Sequence, residues 1–287
     1  MPISEKNQIL PSTLYLVATP IGNLADLSER AIKVLSEVDF IAAEDTRNTA
    51  HLLSYLQIQK PLVSYHEHNK RERGESICDR LQAGESCALV TDAGTPAISD
   101  PGEDLVALCA ARGITVTSIP GCCAGITALT LSGLPTGRFC FEGFLSVNKS
   151  DRKKHLDSLK GETRTMIFHE APHKLKTTLS DLREAFGDTR RISLCRELTK
   201  LNEEVLRLTL SEAVAYYEEN APRGEYVLVV EGAGEGSAAE GAFWTDMTVP
   251  EHVACYMEQG MTKKDAIKAA AKDRGVPKNE VYQQVLD

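Results

Sequence analysis

Two α/β domains followed by a small helical appendix is the fold class this sequence predicts, and three observations predict it. Up to position 137, five short apolar runs alternate with amphipathic helical patterns. Beyond it lies a second, differently punctuated set of strands and helices. A glycine-rich stretch then gives way to three short helical patterns.

The first five strands are expected at 14–18, 39–43, 62–65, 87–91 and 115–119. Their apolar content is continuous rather than alternating, as in strands that helices cover on both faces of a mostly parallel sheet. Asp26 and Glu29 stand at capping-box spacing ahead of "RAIKVL". Asp100, Pro101 and Glu103 offer an N-cap, a first-turn proline and an N3 glutamate, and Gly113 stands where a C′ glycine belongs. Near "LPTG" (134–137) the alternation breaks. Second-domain strands are expected at 139–145, 165–169, 191–195, 204–210 and 226–230, with helices at 150–159, 173–186 and 211–220. "EGAGEGSAAEGA" (231–242) reads as a linker, and helices at 250–259, 263–274 and 278–286 follow it. The expected divisions are 1–137, 138–232, a linker at 233–244 and a tail at 245–287.

The composition is that of a water-soluble globular protein, with 42% hydrophobic and 25% charged residues. The first residues lack the basic-then-apolar order of a secretory signal, and no apolar run approaches the roughly 18 residues of a membrane span. No CxxC or His/Cys spacing suggests zinc, and the eight cysteines are expected to be reduced in a cytoplasmic protein. A net charge of −9 argues against gripping nucleic acid through bulk charge. The charge is uneven: 197–240 holds ten Glu against three basic residues, whereas 261–278 holds six Lys/Arg against two Asp. Either run suits a solvated helix face.

Ligands of open parallel sheets bind beyond the carboxyl ends of the strands. Five loops occupy that edge: "TPIGN" (19–23), "EDTRNT" (44–49), "HEHNKRER" (66–73), "TDAGTP" (91–96) and "PGCCAG" (120–125). Three are small and uncharged except for Asp92, and two are crowded with polar groups. The division implies a compact ligand held by main chain beside a larger polyanion. Without GxxxxGK[ST], GxGxxG or any Lys or Arg, the small loops disfavour a triphosphate or pyrophosphate. They suit a zwitterion carrying a cationic sulfonium, with its carboxylate at the helix start in "PGCCAG" and its amine or hydroxyls toward Asp92.

Taken together, "VATPIGNLADLSERA", "AAEDTR", "LVTDAGTPAISDPG", "PGCCAGITAL", "GLP…FEGFL", "IFHEAPHKL" and "RELTK" resemble the tetrapyrrole-methylase superfamily of S-adenosylmethionine-dependent methyltransferases. The likeness is closest to the branch that 2′-O-methylates a decoding-centre cytidine of 16S ribosomal RNA. It covers about 14–232. The resemblance implies two α/β domains with the cofactor in the cleft between them, a homodimer, and a substrate within the small ribosomal subunit. Matched by position, it puts S-adenosylmethionine against Thr19, Pro20, Asp92, Gly94, Thr95, Pro120, Gly121, Cys122, Cys123 and Ala124. From the second domain it adds Glu170, Ala171, Pro172 and the strand end near Glu231. His169 stands where the family more often has tyrosine, and Cys123 at a position that is usually small.

Methyl transfer to a ribose hydroxyl needs the attacking oxygen aligned with the methyl, and gains from a nearby proton acceptor. Glu44, Asp45, His66 and Glu170 are the candidates, with Glu197 more distant, and Glu44 or Asp45 is favoured because they end a strand beside the small loops. Asp45 fits equally well as the N-cap of "TRNTAHLLSYL". Arg47 offers a phosphate fork, or an ion pair with Glu44 or Asp45. His66, His68, Asn69 and Arg71, with Lys70 and Arg73, would track RNA; a solvated loop would look the same. A tetrapyrrole acceptor or a non-catalytic ribosome-binding module are the competing readings; the basic-polar loops speak against the first and the small loops against the second.

Overall fold

The computed structural model describes residues 8–234, 244 and 247–285. Contacts divide the chain into two compact units, residues 1–160 with 164–231 and residues 161–163 with 232–287. The first unit contains both sheets.

The first sheet joins β1 (Thr13–Val17), β2 (Phe40–Ala43), β3 (Leu62–Ser64), β4 (Cys87–Val90) and β5 (Thr115–Ile119), all parallel, in the order β3-β2-β4-β1-β5. Its helices are α1 (Glu29–Glu37), α2 (Thr46–Tyr55), α3 (Lys70–Gln82) and α4 (Gly102–Ala111), and α5 (Ala124–Leu131) follows β5. The inner strands β1, β2 and β4 bury both faces, as expected, while the edge strands β3 and β5 are only partly covered. Tyr15, Val17, Ile41, Ala43, Ala88 and Val90 pack on α1 and α2, and Leu14, Phe40, Ala42, Cys87 and Leu89 pack on α3 and α4. Leu14, Leu35, Phe40, Leu81 and Leu105 are fully buried, each worth about 1.5–3 kcal/mol relative to exposure.

Two details of the local signals differ. Ser28, not Asp26, caps α1 by accepting the Ala31 amide, because Asn23 first draws Leu24–Asp26 into a 3₁₀ turn. "HEHNKRER" is not one loop: Lys70 onward is helical, so Arg71 and Arg73 stand on the first turn of α3. Asp100 opens α4 by accepting the Gly102 amide at 2.8 Å and also gathers the Ala97 amide at 3.0 Å. Gly113 takes the left-handed conformation (φ 67°) after α4, as its position predicts.

The second sheet contains β6 (Phe139–Phe144), β7 (Thr165–Glu170), β8 (Arg191–Arg196), β9 (Glu204–Thr209) and β10 (Tyr226–Val230) in the order β6-β7-β10-β8-β9. The β6–β7 pair is parallel, and the other pairs are antiparallel. One face packs on α6 (Lys149–Ser158), α7 (Leu175–Phe186) and α8 (Leu210–Glu219) through Met166, Phe168, Ile192, Leu194, Leu228 and Val230. α7 starts at Leu175 rather than 173 because His173 and Lys174 are spent in a turn, with the Lys174 amide on Ala171 O. α5 covers the opposite face, burying Ala128 and Leu129 against Ile167, Cys195, Val227 and Val229. The first turn of this helix, at Ala124 and Gly125, lines the space where the two sheets meet.

The second unit contains α9 (Val249–Glu258), α10 (Lys263–Asp273) and α11 (Lys278–Gln284). Thr248 and Glu251 form a capping box on α9, and Thr262 caps α10. Val253, Ala266, Ile267, Ala270, Ala271 and Val281 form its core. The expected linker falls largely on 235–243, outside the described residues.

Candidate active site

Strand order decides which loops meet. β1 lies between β4 and β5, so "TPIGN", "TDAGTP" and "PGCCAG" are neighbours, while the polar loops after β2 and β3 sit to one side. Main-chain contacts knit the three small loops together. Thr19 and Gly94 exchange amide–carbonyl bonds at 2.9 and 3.0 Å. Thr19 Oγ1 donates to Thr91 O at 3.1 Å, and Thr95 Oγ1 to Cys122 O at 2.8 Å. Gly94 is left-handed (φ 87°). A Cβ on Gly121 would stand 2.8 Å from Ala18 Cβ, so glycine is needed for the close approach. Cys123 leads into α5 with no side-chain cap, which leaves the amides of the first turn for a ligand. Burial pushes the Cys122 thiol above its ordinary range, which favours the protonated form.

Opposite these loops stands the carboxyl end of β7. A cavity of about 190 Å³ is lined by Ile21, Gly94, Thr95, Cys123, Phe141 and Ile167, among others. A second, of about 380 Å³, is lined by Phe144, Glu170, Pro172, Glu197, Lys200 and Tyr226, among others. Ile21, Ala93, Ala124 and His169 line both, so they form one cleft between the two sheets. His169 meets Phe141 and Phe144 edge-on at 5.2 and 5.4 Å. Its Nε2 is buried without a hydrogen-bond partner, and burial lowers its pKa from the ordinary 6.5, keeping the ring neutral.

The favoured carboxylates separate by their partners. Asp45 caps α2 through the Arg47 amide at 2.8 Å, and receives the Arg47 fork at 3.1 Å (Nε) and 2.7 Å (Nη2). The Arg47 side-chain bond, then its backbone bond, lower Asp45 to about 2, which makes it a weak proton acceptor. Glu44 at the end of β2 is half-buried and has no partner among the described residues. Glu170 is 4% exposed; it accepts from the Ala171 amide at 2.8 Å and from Thr178 Oγ1, so both oxygens are held internally. Asp92 does not line the cleft; its carboxylate accepts the Asp45 amide at 3.3 Å and Asn48 Nδ2 at 3.1 Å. Its neighbours Ala93, Gly94 and Thr95 supply the lining instead. Thr19, Pro20, Pro120, Gly121 and Cys122 likewise stand behind the lining.

On the polar side, Asn69 is spent locally, accepting the His66 amide at 2.8 Å and donating to Ser64 O at 3.2 Å. His68 is exposed and meets His66 edge-on at 5.9 Å. Lys70 is paired with Glu67 and Asp104, whereas Arg71 and Arg73 are exposed with no ion pair among the described residues. Glu231 corrects an expectation. β10 runs antiparallel to β7, pairing Tyr226 with Glu170 and Val230 with Met166, so Glu231 follows the end of β10 remote from the cleft and pairs with Arg191. Tyr226 and Val227, at the other end of the same strand, are the residues that line the site. They were hidden because strand direction is not written in an apolar run. Lys200 was also missed. It crosses Gly22 and pairs with Glu197 at 2.9 Å and Glu225 at 2.7 Å.

This pairing of a parallel sheet with a mixed one is the architecture of the corrin- and porphyrin-methylating enzymes. A family described as "Tetrapyrrole (Corrin/Porphyrin) Methylases" matches residues 13–214. Among solved structures, uroporphyrin-III-C-methyltransferase from Thermus thermophilus is 19% identical with a TM-score of 0.55, covering 77% of this chain and 94% of that one. Diphthine synthase is 14% identical with a TM-score of 0.58, covering 77% and 90%. At such identities the likeness is one of fold.

Curated relatives are much nearer in sequence. A protein of Halalkalibacterium halodurans is 51% identical over 94% of this chain and 93% of its own length. One of Bacillus subtilis is 50% identical over 94% and 92%, and one of Escherichia coli O157:H7 is 42% identical over 96% and 94%. All three are named ribosomal RNA small subunit methyltransferase I. The chain belongs to the tetrapyrrole methylase family and, within it, to the group of these ribosomal RNA small subunit methyltransferase I proteins.

Proposed function

We propose that the chain is a methyltransferase that carries the methyl group of S-adenosylmethionine to the 2′-oxygen of a decoding-centre cytidine ribose in 16S rRNA. The observation that carries the reading is the cleft of small loops and uncapped helix start in a chain 51% identical, nearly end to end, to a ribosomal RNA methyltransferase. When bound, S-adenosylmethionine supplies a methyl group activated by a positively charged sulfur.

The residues present fit that group. The first-turn amides of α5 suit its carboxylate. Ala93, Gly94 and Thr95 let a flat heterocycle lie against main chain, with Ile21, Ala124 and Pro172 as apolar walls. Lys and Arg are nearly absent from this lining, which favours a cationic sulfur over a phosphate. His169, held neutral by burial and framed by two phenylalanines, adds no positive charge.

Glu44 takes up the hydroxyl proton of the ribose, since its carboxylate is uncommitted where that of Asp45 is not. Arg47, whose side chain is 85% exposed, exchanges Asp45 for an RNA phosphate; exposed ion pairs of this kind are weak enough to swap. His66, His68 and Arg71 extend the same edge. The substrate is the assembled small subunit, read by shape as much as by charge given a net charge of −9. The chain acts in the cytoplasm as a homodimer.

Mapping ribose methylation on 16S rRNA from cells lacking the gene tests this reading. Modification of one cytidine should vanish and return with the wild-type gene but not with Ala93→Trp, which fills the cleft. A full modification pattern in the deletion strain overturns the proposal.

A further inference from the structure

A second hollow lies behind the cleft wall. It has a volume of about 250 Å³ and is lined by Arg196, Glu204, Tyr216, Tyr217, Asn220, Ala221, Arg223 and Tyr226. Tyr226 lines the cleft as well, and Arg196 directly precedes the cleft residue Glu197. The wall between the two spaces is therefore one residue thick.

The hollow has more donors than acceptors. Its floor is the buried pair Tyr217 and Tyr226, whose hydroxyls are 3.3 Å apart, with the Arg223 amide donating to Tyr226 Oη at 3.2 Å. Two hydroxyl protons share one hydroxyl–hydroxyl bond, so one proton lacks an acceptor among the described residues. Arg196 spends Nε on Glu204 at 3.1 Å, and its remaining N–H groups are free among the described residues. The exposed guanidinium of Arg223 has no carboxylate partner among them. Glu204 is the carboxylate in the lining, and Arg196 already neutralises it. Tyr216, 37% exposed, adds an aromatic wall.

Such a site wants a ligand made of acceptors with a flat group beside it. We infer that this hollow binds a backbone phosphate of the RNA strand that enters the cleft, with Arg196, Arg223 and the free tyrosine hydroxyl on the phosphate oxygens and the neighbouring base against Tyr216. The inference rests on the proposed RNA substrate. It deepens that reading by adding a contact on the second domain, within the most acidic part of the sequence.

The test compares wild type with Arg223→Ala and Arg223→Glu, both at an exposed position that leaves the fold intact. Binding to purified small ribosomal subunits is measured across 50–200 mM salt, alongside steady-state transfer. Arg223→Ala should weaken subunit binding about tenfold and reduce the salt slope by about one. It should raise KM for the subunit while leaving kcat and S-adenosylmethionine affinity unchanged, and Arg223→Glu should be weaker still. Variants that bind and turn over like wild type overturn the inference while the proposed activity stands. A wild type that binds subunits but transfers no methyl group sinks the activity reading and leaves the binding comparison to judge the hollow. Inorganic phosphate at millimolar concentration is the second arm: competition with the subunit through Arg223 supports a strand phosphate, whereas phosphate that fills the hollow without slowing transfer identifies a free anion and overturns it.

Discussion

Asp92 and Asn48 are joined by a hydrogen bond of 3.1 Å from the side-chain amide to the carboxylate, and the Asp45 amide meets the same carboxylate at 3.3 Å. Asp92 stands two residues beyond β4, beside the cleft loops, and Asn48 belongs to the first turn of α2. The only acidic group of the three small loops thus fastens the polar β2–α2 loop, with Glu44 and Arg47, to the cleft loops. Asp92→Ala is expected to reduce methyl transfer by about tenfold or more through the loss of charge-assisted hydrogen bonds. The loss should fall on KM for the RNA and on kcat rather than on S-adenosylmethionine affinity. Steady-state kinetics with calorimetry checks this; collapse of cofactor affinity alone would contradict the positioning role.

The two adjacent carboxylates at the end of β2 should behave differently. Glu44→Gln is expected to lower the single-turnover rate by about 10²–10⁴-fold, the usual contribution of general base catalysis. Asp45→Asn should lower it far less, because Arg47 already holds Asp45 at about 2. Equal losses would remove the assignment.

Acid should weaken the fold through His169. Burial lowers its pKa below 6.5 in the folded chain, so as pH falls through 6.5 the unfolded chain takes up a proton that the folded chain refuses, and stability is lost. Relative to His169→Gln, wild type should lose stability as pH falls through 6.5 and hold a constant difference well above it. His252 is shifted in the same direction but is present in both proteins and cancels. Denaturant melts across this range provide the check, and a flat difference would show that burial of His169 carries no such linkage.

Gly121 is a steric requirement. An added Cβ would meet Ala18 Cβ at 2.8 Å with backbone immediately behind it. Gly121→Ala is therefore expected to destabilise by about 1–3 kcal/mol, as overpacking does. It should also weaken cofactor binding, because the β1 and β5 loops would be pushed apart. A variant with wild-type melting and affinity would remove this constraint.

How far the sequence could be read depended on the kind of physics each feature uses. Strands packed into a sheet write themselves as short, largely apolar runs between turn residues whichever way their neighbours run, so the ten strands named above fall within two residues of their expected bounds. Glycine at 113 and the paired turns of the small loops are local backbone demands and were equally readable. Strand direction is not local: nothing in "YVLVV" says that its first residue faces the cleft, so Glu231 was placed at the wrong end and Tyr226 overlooked. Competition between nearby caps was also hidden. Asn23 and Ser28 take the roles that spacing assigned to Asp26. The role of Asp92 turned on donors that reach it at 3.1 and 3.3 Å from residues more than forty positions away, whereas the cap and ion pair of Asp45 with Arg47 are local and were offered by the spacing.

The central claim is that the cleft between the two sheets holds S-adenosylmethionine, gripped chiefly by main chain. Isothermal titration of the wild-type chain and of Ala93→Trp measures it directly. One site per wild-type chain and none in the variant is the expected result, with both proteins folded by circular dichroism. No heat from the folded wild type, or equal binding by a variant whose cleft is filled, would contradict it.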